Sequence, residues 1–417
     1  MIPPTTSRDS AVRPTAAHTL ISGAALTFAA AAAGPLVAGQ LVLLGKPFGG
    51  VLGVPAGVVG YLGLTALAVG CVTAASAVGR ALSVPQSAGA AVVAGSALIA
   101  AGFASGVWTF TVALVVAAAL TGPLLISTRA LGWPDPVAST WWQVAMVAGF
   151  AVAAATAALC QGVPGAALAG AGVAVAAGGG IAGSRSVPFC RAPRELRDRA
   201  PTLAVRAGLD NDDRRGPRSP RRGPSPRFRD GLSRPGRLAY AAIGFAVGGT
   251  VLPALHLLLF RWSMLGRDQA LLMLSVTVVA ATVMALPGPA ASAVPSLLIL
   301  AAGGPILVAT APGPLTATIG LAVTVAASAR AARGLDLAAG PTAAPPDDPG
   351  GGTAGVTSLL VTVAAVAGFG VVSALGEFAG AGTSLTLLAL PILAAALYYS
   401  RAAGQARADR PLEGGAA

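Results

Sequence analysis

Charge is what this sequence has least of. Asp, Glu, Lys and Arg together make up 10% of its 417 residues, and lysine occurs once, as Lys46. A charged side chain is costly in hydrocarbon, so long stretches free of charge are the composition of membrane-crossing helices. Histidine occurs only at His18 and His256, too far apart in sequence to read as a metal pair. The three cysteines, Cys71, Cys160 and Cys190, show no CxxC spacing, which gives neither a disulfide framework nor a metal site. There is no HExxH, no GxSxG and no Walker loop. "GGGIAG" (residues 178–183) has GxGxxG spacing, but no strand precedes it and it closes an apolar run. It reads as a helix-packing segment and not as a dinucleotide site. Neither an enzyme nor a bound cofactor is expected. A membrane enzyme acting on lipid-linked substrates would need an acid/base pair, and the first outer loop, "GKPFGGVLG", has no acid at all.

What the chain does have is apolar length. Its mean hydropathy is +0.75, far above that of a soluble domain. Six runs long enough to span a bilayer lie near residues 18–44, 54–78, 87–105, 107–127, 141–161 and 164–182. Six more lie near 238–260, 268–286, 292–311, 313–330, 355–375 and 383–400. The fold class expected is therefore an all-α polytopic membrane protein of about 12 transmembrane helices. It divides into a polar tail (1–17), a first six-helix half (18–183), a linker (184–237), a second six-helix half (238–400) and a second tail (401–417).

The linker holds most of the charge. From residue 185 to 237 there are 15 Arg against 6 acids, which is +9 of the chain's net +12. It is rich in proline and poor in apolar residues, so it cannot bury a core of its own. Phe228 is the only aromatic in "RRGPRSPRRGPSPRFRDGLSRPGR" (214–237), which argues against a nucleic-acid surface built on stacking. Its expected partners are anionic lipid headgroups. With both termini cytoplasmic, the inner loops carry Arg80, Arg129, the linker, Arg330, Arg333 and the tail arginines. The outer loops then carry only Lys46, Arg261 and Arg267. That asymmetry fits the positive-inside rule. The stretch from 336 to 355, "DLAAGPTAAPPDDPGGGTAG", reads as a flexible inner loop.

Polar residues inside apolar spans tend to face a cavity or a partner helix. Gln40, Gln143 and His256 lie within spans and Glu377 near the end of one. They are the candidates for a substrate cavity or for ion coupling; simple interhelical hydrogen bonding or interfacial placement is the other reading. Glycine pairs at GxxxG spacing, Gly53/Gly57, Gly102/Gly106, Gly244/Gly248 and Gly376/Gly380, are expected to let helices pack closely.

The six-linker-six layout resembles the major facilitator superfamily, over nearly the whole chain. "GVPAGVVGYLGLTALAVGCVTAASAVGRALS" (53–83) looks like that family's second helix running into its loop between helices two and three. "LGRDQALLMLSVTVVAATVMALP" (265–287) looks like the eighth. Gly79 and Arg80 match the opening of the family's loop signature and are the candidates for inner-loop gating. "ALSVPQSAG" after them carries neither the signature's Asp nor its later basic cluster. The resemblance implies a secondary transporter of the cell membrane that moves a small, unidentified molecule by alternating access. An apolar cavity would suit export of an organic or amphipathic substrate. The alternative is a non-transporting multi-helix scaffold or secretion-system component: "APTLAVRAGL" (200–209) is loosely similar to a loop of type VII secretion membrane proteins.

Overall fold

The computed structural model describes residues 13–78, 82–132, 136–190, 233–264, 266–286, 291–339 and 351–408. Gly79, Arg80 and most of the linker lie outside them. Among the described residues there is no β-strand. The first crossing is α1 (Arg13–Ala31), a π-helical turn (Ala32–Leu36) and α2 (Val37–Leu43). Pro35 lies in that turn. Proline has no N–H to donate, and the wider turn accommodates its ring inside an otherwise continuous span. The short α3 (Gly45–Leu52) follows and stops at Gly53, whose φ of 68° is left-handed. Then come α4 (Ala56–Ala77), α5 (Val84–Gly102), α6 (Val107–Gly132), α7 (Pro136–Leu159) and α8 (Pro164–Cys190). The second half comprises α9 (Arg234–Trp262), α10 (Arg267–Ala285), α11 (Val294–Ala309), α12 (Pro314–Ala339), α13 (Gly351–Ala379) and α14 (Ala381–Ala408).

Local sequence sets the helix starts. At α5, Ser83 and Gln86 form a capping box, the Ser83 N–H donating to Gln86 Oε1 at 3.0 Å. At α9, Ser233 Oγ accepts from the Gly236 N–H at 3.3 Å and a proline follows the cap. Eleven of these helices are long and apolar enough to cross a membrane, which makes this a multi-pass membrane protein. The remaining apolar helix, α11, has 16 residues. At 1.5 Å per residue it is about 24 Å long, short of the ~30 Å hydrocarbon core.

Two departures from the sequence reading bear on the site. The span expected to end at Arg330 runs on to Ala339, so Asp336 is helical and not in a flexible loop. Arg129, counted above among loop charges, lies inside α6. The physical reason is propensity: "ARAARGLDLAA" is built largely of Ala, Leu and Arg, strong helix formers that extend a helix beyond its apolar stretch.

Neighbouring crossings alternate in direction. The links after α4, α6, α8, α10 and α12 therefore share one side, here termed the linker face. The pairing of helices repeats between the halves. The first crossing packs on α7 and α8 as α9 packs on α13 and α14. Likewise α5 packs on α6 and α8 as α11 packs on α12 and α14, and α4 packs on α6 as α10 packs on α12. One buried cluster, centred on Leu26, Leu98, Phe110 and Leu168, fills the first half. Two others fill the second, around Leu258, Leu321 and Ile392 and around Tyr240, Leu298 and Leu335. Of the four GxxxG pairs, Gly244/Gly248 makes the closest crossing. A Cβ on either would collide with the α13 backbone at Val361 or Ala365.

Candidate functional site: a polar latch between the halves

The halves meet differently on the two faces. Away from the linker, the contacts are mostly apolar. Leu43 of the first half packs into the second half's cluster, and Ala270 of α10 joins the first half's. On the linker face the contact is ionic and hydrogen-bonded. Arg129, near the end of α6, is 8% exposed, and the Asp336 side chain on α12 is 7% exposed. The Arg129 guanidinium donates from Nη2 to Asp336 Oδ1 at 3.0 Å and from Nη1 to Ser358 Oγ of α13 at 2.9 Å. Its face lies 5.3 Å from the ring centroid of Trp142 on α7. Trp142 is itself oriented by Nε1–H donating to Thr128 Oγ1 at 3.1 Å.

Two more donors complete Asp336. Tyr240 of α9 donates its hydroxyl to Oδ1, and Gln143 of α7 donates from Nε2 to Oδ2. One carboxylate thus ties together two helices of the first half and two of the second, with α13 attached through Arg129. An ion pair this dry persists only when further hydrogen bonds satisfy both partners, a condition met here. Removing either partner would strand a charge away from water. Alongside, α13 approaches the first half closely: a Cβ on Gly355 would stand 3.3 Å from Ile126 and 3.4 Å from Val78.

Of the residues singled out from sequence, Gln143 is brought into this site. Gln40 is fully buried within the first half, where Nε2 donates to Thr156 Oγ1 at 3.0 Å and to the Ala167 carbonyl at 3.1 Å. It bonds α2 to α7 and α8. His256 lies on α9 and Glu377 on α13, but their side chains are outside those described. The sequence reading missed Asp336, Arg129, Tyr240 and Ser358 as a group. A signal was present: Asp336 is the sole acid between residues 269 and 346, and it follows Arg330 and Arg333 at three-residue spacing. Those arginines serve a different purpose. Arg330 donates to the Val283 carbonyl at 3.0 Å, and Arg333 to the Met284 and Leu286 carbonyls at 2.6 and 2.5 Å. They cap the otherwise unsatisfied end of α10. Among the described residues no group of His, Cys, Asp and Glu is arranged to hold a metal ion.

The two-half helical arrangement is shared by known structures. The fold is similar to the human organic anion transporter MFSD10 (TETRAN), with a TM-score of 0.60 at 17% identity over 93% of this chain and 99% of that one. It is similar to the major facilitator superfamily proton:xylose symporter XylE, at 0.60 and 15% over 93% and 96%. It is similar to a bacterial homologue of the iron transporter ferroportin in an outward-facing state, at 0.58 and 12% over 93% and 99%. No protein-family model matches the sequence, and no curated protein matches it either. The chain thus shares the fold of these transporters, major facilitator superfamily structures among them, at 12–17% sequence identity.

Proposed function

We propose that this chain is a secondary active transporter of the cell membrane that exports a small organic or amphipathic molecule by alternating access. In this reading the linker face is cytoplasmic, and the latch of Arg129, Asp336, Tyr240, Gln143 and Ser358 is the inner gate in its closed state. The observation that carries the reading is the latch itself. A static scaffold has no need to join its halves by a buried ion pair, because apolar residues of similar volume hold as well or better. A gate does need contacts that break cleanly and reform, and polar ones can be exchanged for water when the face opens. The apolar interior supports an apolar or amphipathic substrate. Gln40, His256 and Glu377 are the remaining candidates for the cavity or coupling, and Gly79 and Arg80 for inner-loop gating. The arginine-rich linker is assigned to anionic lipid headgroups on the same side.

The test is extrusion of a panel of amphipathic fluorescent dyes from cells expressing the chain. Expression is expected to lower the accumulation of at least one dye. Arg129→Ala and Asp336→Ala should each abolish that effect, and the double exchange Arg129→Asp with Asp336→Arg should restore part of it. Unchanged accumulation across dyes of both charges would sink the export reading.

A further inference from the structure

We propose that Arg330 and Arg333 of α12 form a phosphate-binding site at the linker-face edge of the membrane, where an anionic phospholipid supplies the phosphate. The site is separate from the linker, and the inference does not rest on the gate reading. Each guanidinium reaches the end of α10 through one nitrogen. Arg330 Nη1 donates to the Val283 and Leu286 carbonyls at 3.0 and 3.3 Å, and Arg333 Nη1 to those of Met284 and Leu286 at 2.6 and 2.5 Å. Sharing the Leu286 oxygen brings the two cations against each other. A guanidinium has five N–H donors, so most of them are not spent on α10. Arg333 Nε is buried and has no hydrogen-bond partner among the described residues, where a buried donor ordinarily has one.

The protein does not balance this charge. Asp336, one turn further along α12, is committed to Arg129, Tyr240 and Gln143. Among the described residues no ion pair joins Arg330 or Arg333 to an acid. The link that follows, "PGPAASA" (287–293), holds no acid either. The α10 carbonyls carry the negative end of that helix's dipole, roughly half a charge against two full positive ones. Two like charges this close are stabilised by an anion shared between them. A phosphate offers several oxygens to two planar guanidiniums at once.

Depth and surroundings point to a lipid as the carrier of that phosphate. From Pro314, where α12 starts, the helix rises about 24 Å to Arg330 and about 28 Å to Arg333. Bilayer hydrocarbon is ~30 Å thick, so both arginines lie at its linker-side boundary, where lipid headgroups begin. Running toward them, α10 turns an apolar stripe outward: Leu271, Val278, Val279 and Leu286 are all exposed, at helical spacing. Leu286, whose carbonyl both arginines share, is the last of them. A phospholipid with its phosphate on the arginines lays an acyl chain along this stripe. Inorganic phosphate uses the arginines and leaves the stripe untouched.

The experiment uses the full chain in detergent. Lipids held per chain are counted by native mass spectrometry, and the thermal unfolding midpoint is recorded. Phosphatidylglycerol, phosphatidylcholine and inorganic phosphate are added separately. Salt at about 0.5 M screens solvent-exposed charges more than half-buried ones, which limits lipid attraction by other arginines. One variant, Arg330→Gln with Arg333→Gln, removes the charge but also uncaps α10. The other, Leu286→Glu, keeps both arginines and sets a carboxylate beside them. The tightest phosphatidylglycerol on the parent is expected to bind about tenfold more weakly, or worse, in either variant. It should raise the parent's midpoint more than theirs, and phosphatidylcholine should show no such difference. If inorganic phosphate displaces the lipid and gives the same rise, the arginine site stands and free phosphate is its ligand. If Leu286→Glu holds phosphatidylglycerol as the parent does, the proposal is overturned, whatever the double variant shows. Equal binding of the two lipids by the parent overturns it too, because charge then plays no part.

Discussion

Arg129 performs three tasks with one planar group: it pairs with Asp336, donates to Ser358 and stacks on Trp142. Lysine has the same charge but neither the fork nor the flat face. Arg129→Lys is therefore expected to keep the ion pair and lose the Ser358 bond and the stacking. With spin labels on Ser184→Cys of α8 and Ser400→Cys of α14, both exposed near the linker face, it should give a mixture of short and long distances, between the parent chain and Arg129→Ala. A result equal to the parent would mean that charge alone holds the halves together on this face. At this scale the sequence was only partly legible. Gln143 stood out as a polar residue in an apolar run, whereas Arg129 and Asp336 read as ordinary loop charges. Nothing local shows that an arginine on one helix meets an aspartate 207 residues later.

The helices carry a different lesson. Spans and their order follow from apolar length, and that much was readable before any coordinates. Ends were less so, because Ala, Leu and Arg prolong a helix past its hydrocarbon-matching stretch. This is why α12 reaches Ala339 and carries Asp336 into the interface. Spacing alone did not say which glycines matter. A Cβ on Gly248 would drive into the α13 backbone at Ala365, whereas one on Gly57 meets nothing within 4 Å. Gly248→Ala is expected to lower stability by about 1–3 kcal/mol through a forced helix separation. Gly57→Ala should be neutral or stabilising by up to ~1 kcal/mol, from helix propensity. Denaturation in detergent checks both; equal effects would show that α9 and α13 give way more easily than their packing implies.

At the scale of the whole molecule, the repeat of helix pairings makes two similar halves, and the linker face is where they are joined by charge. The proposed topology places that face in the cytoplasm, following the positive-inside rule applied to the arginine-rich linker sequence. A reporter active only in the cytoplasm should be active when fused after Ala408. It should be silent when inserted after Gly162, between α7 and α8. The reverse pattern would invert the topology and, with it, the direction assigned to the latch.

Hydrophobic length and charge scarcity by themselves determined that this chain is helical, crosses a membrane many times and divides about a basic linker, because each crossing must satisfy its own backbone and exclude charge within its own segment. Those are local demands, and local sequence answers them. Only the tertiary structure decided which rare polar groups meet. The latch draws on five helices from both halves, and its partners are set by how the halves dock. A carboxylate near a helix end looks the same in sequence whether it faces water or joins the two halves; burial against an arginine of the other half makes the difference.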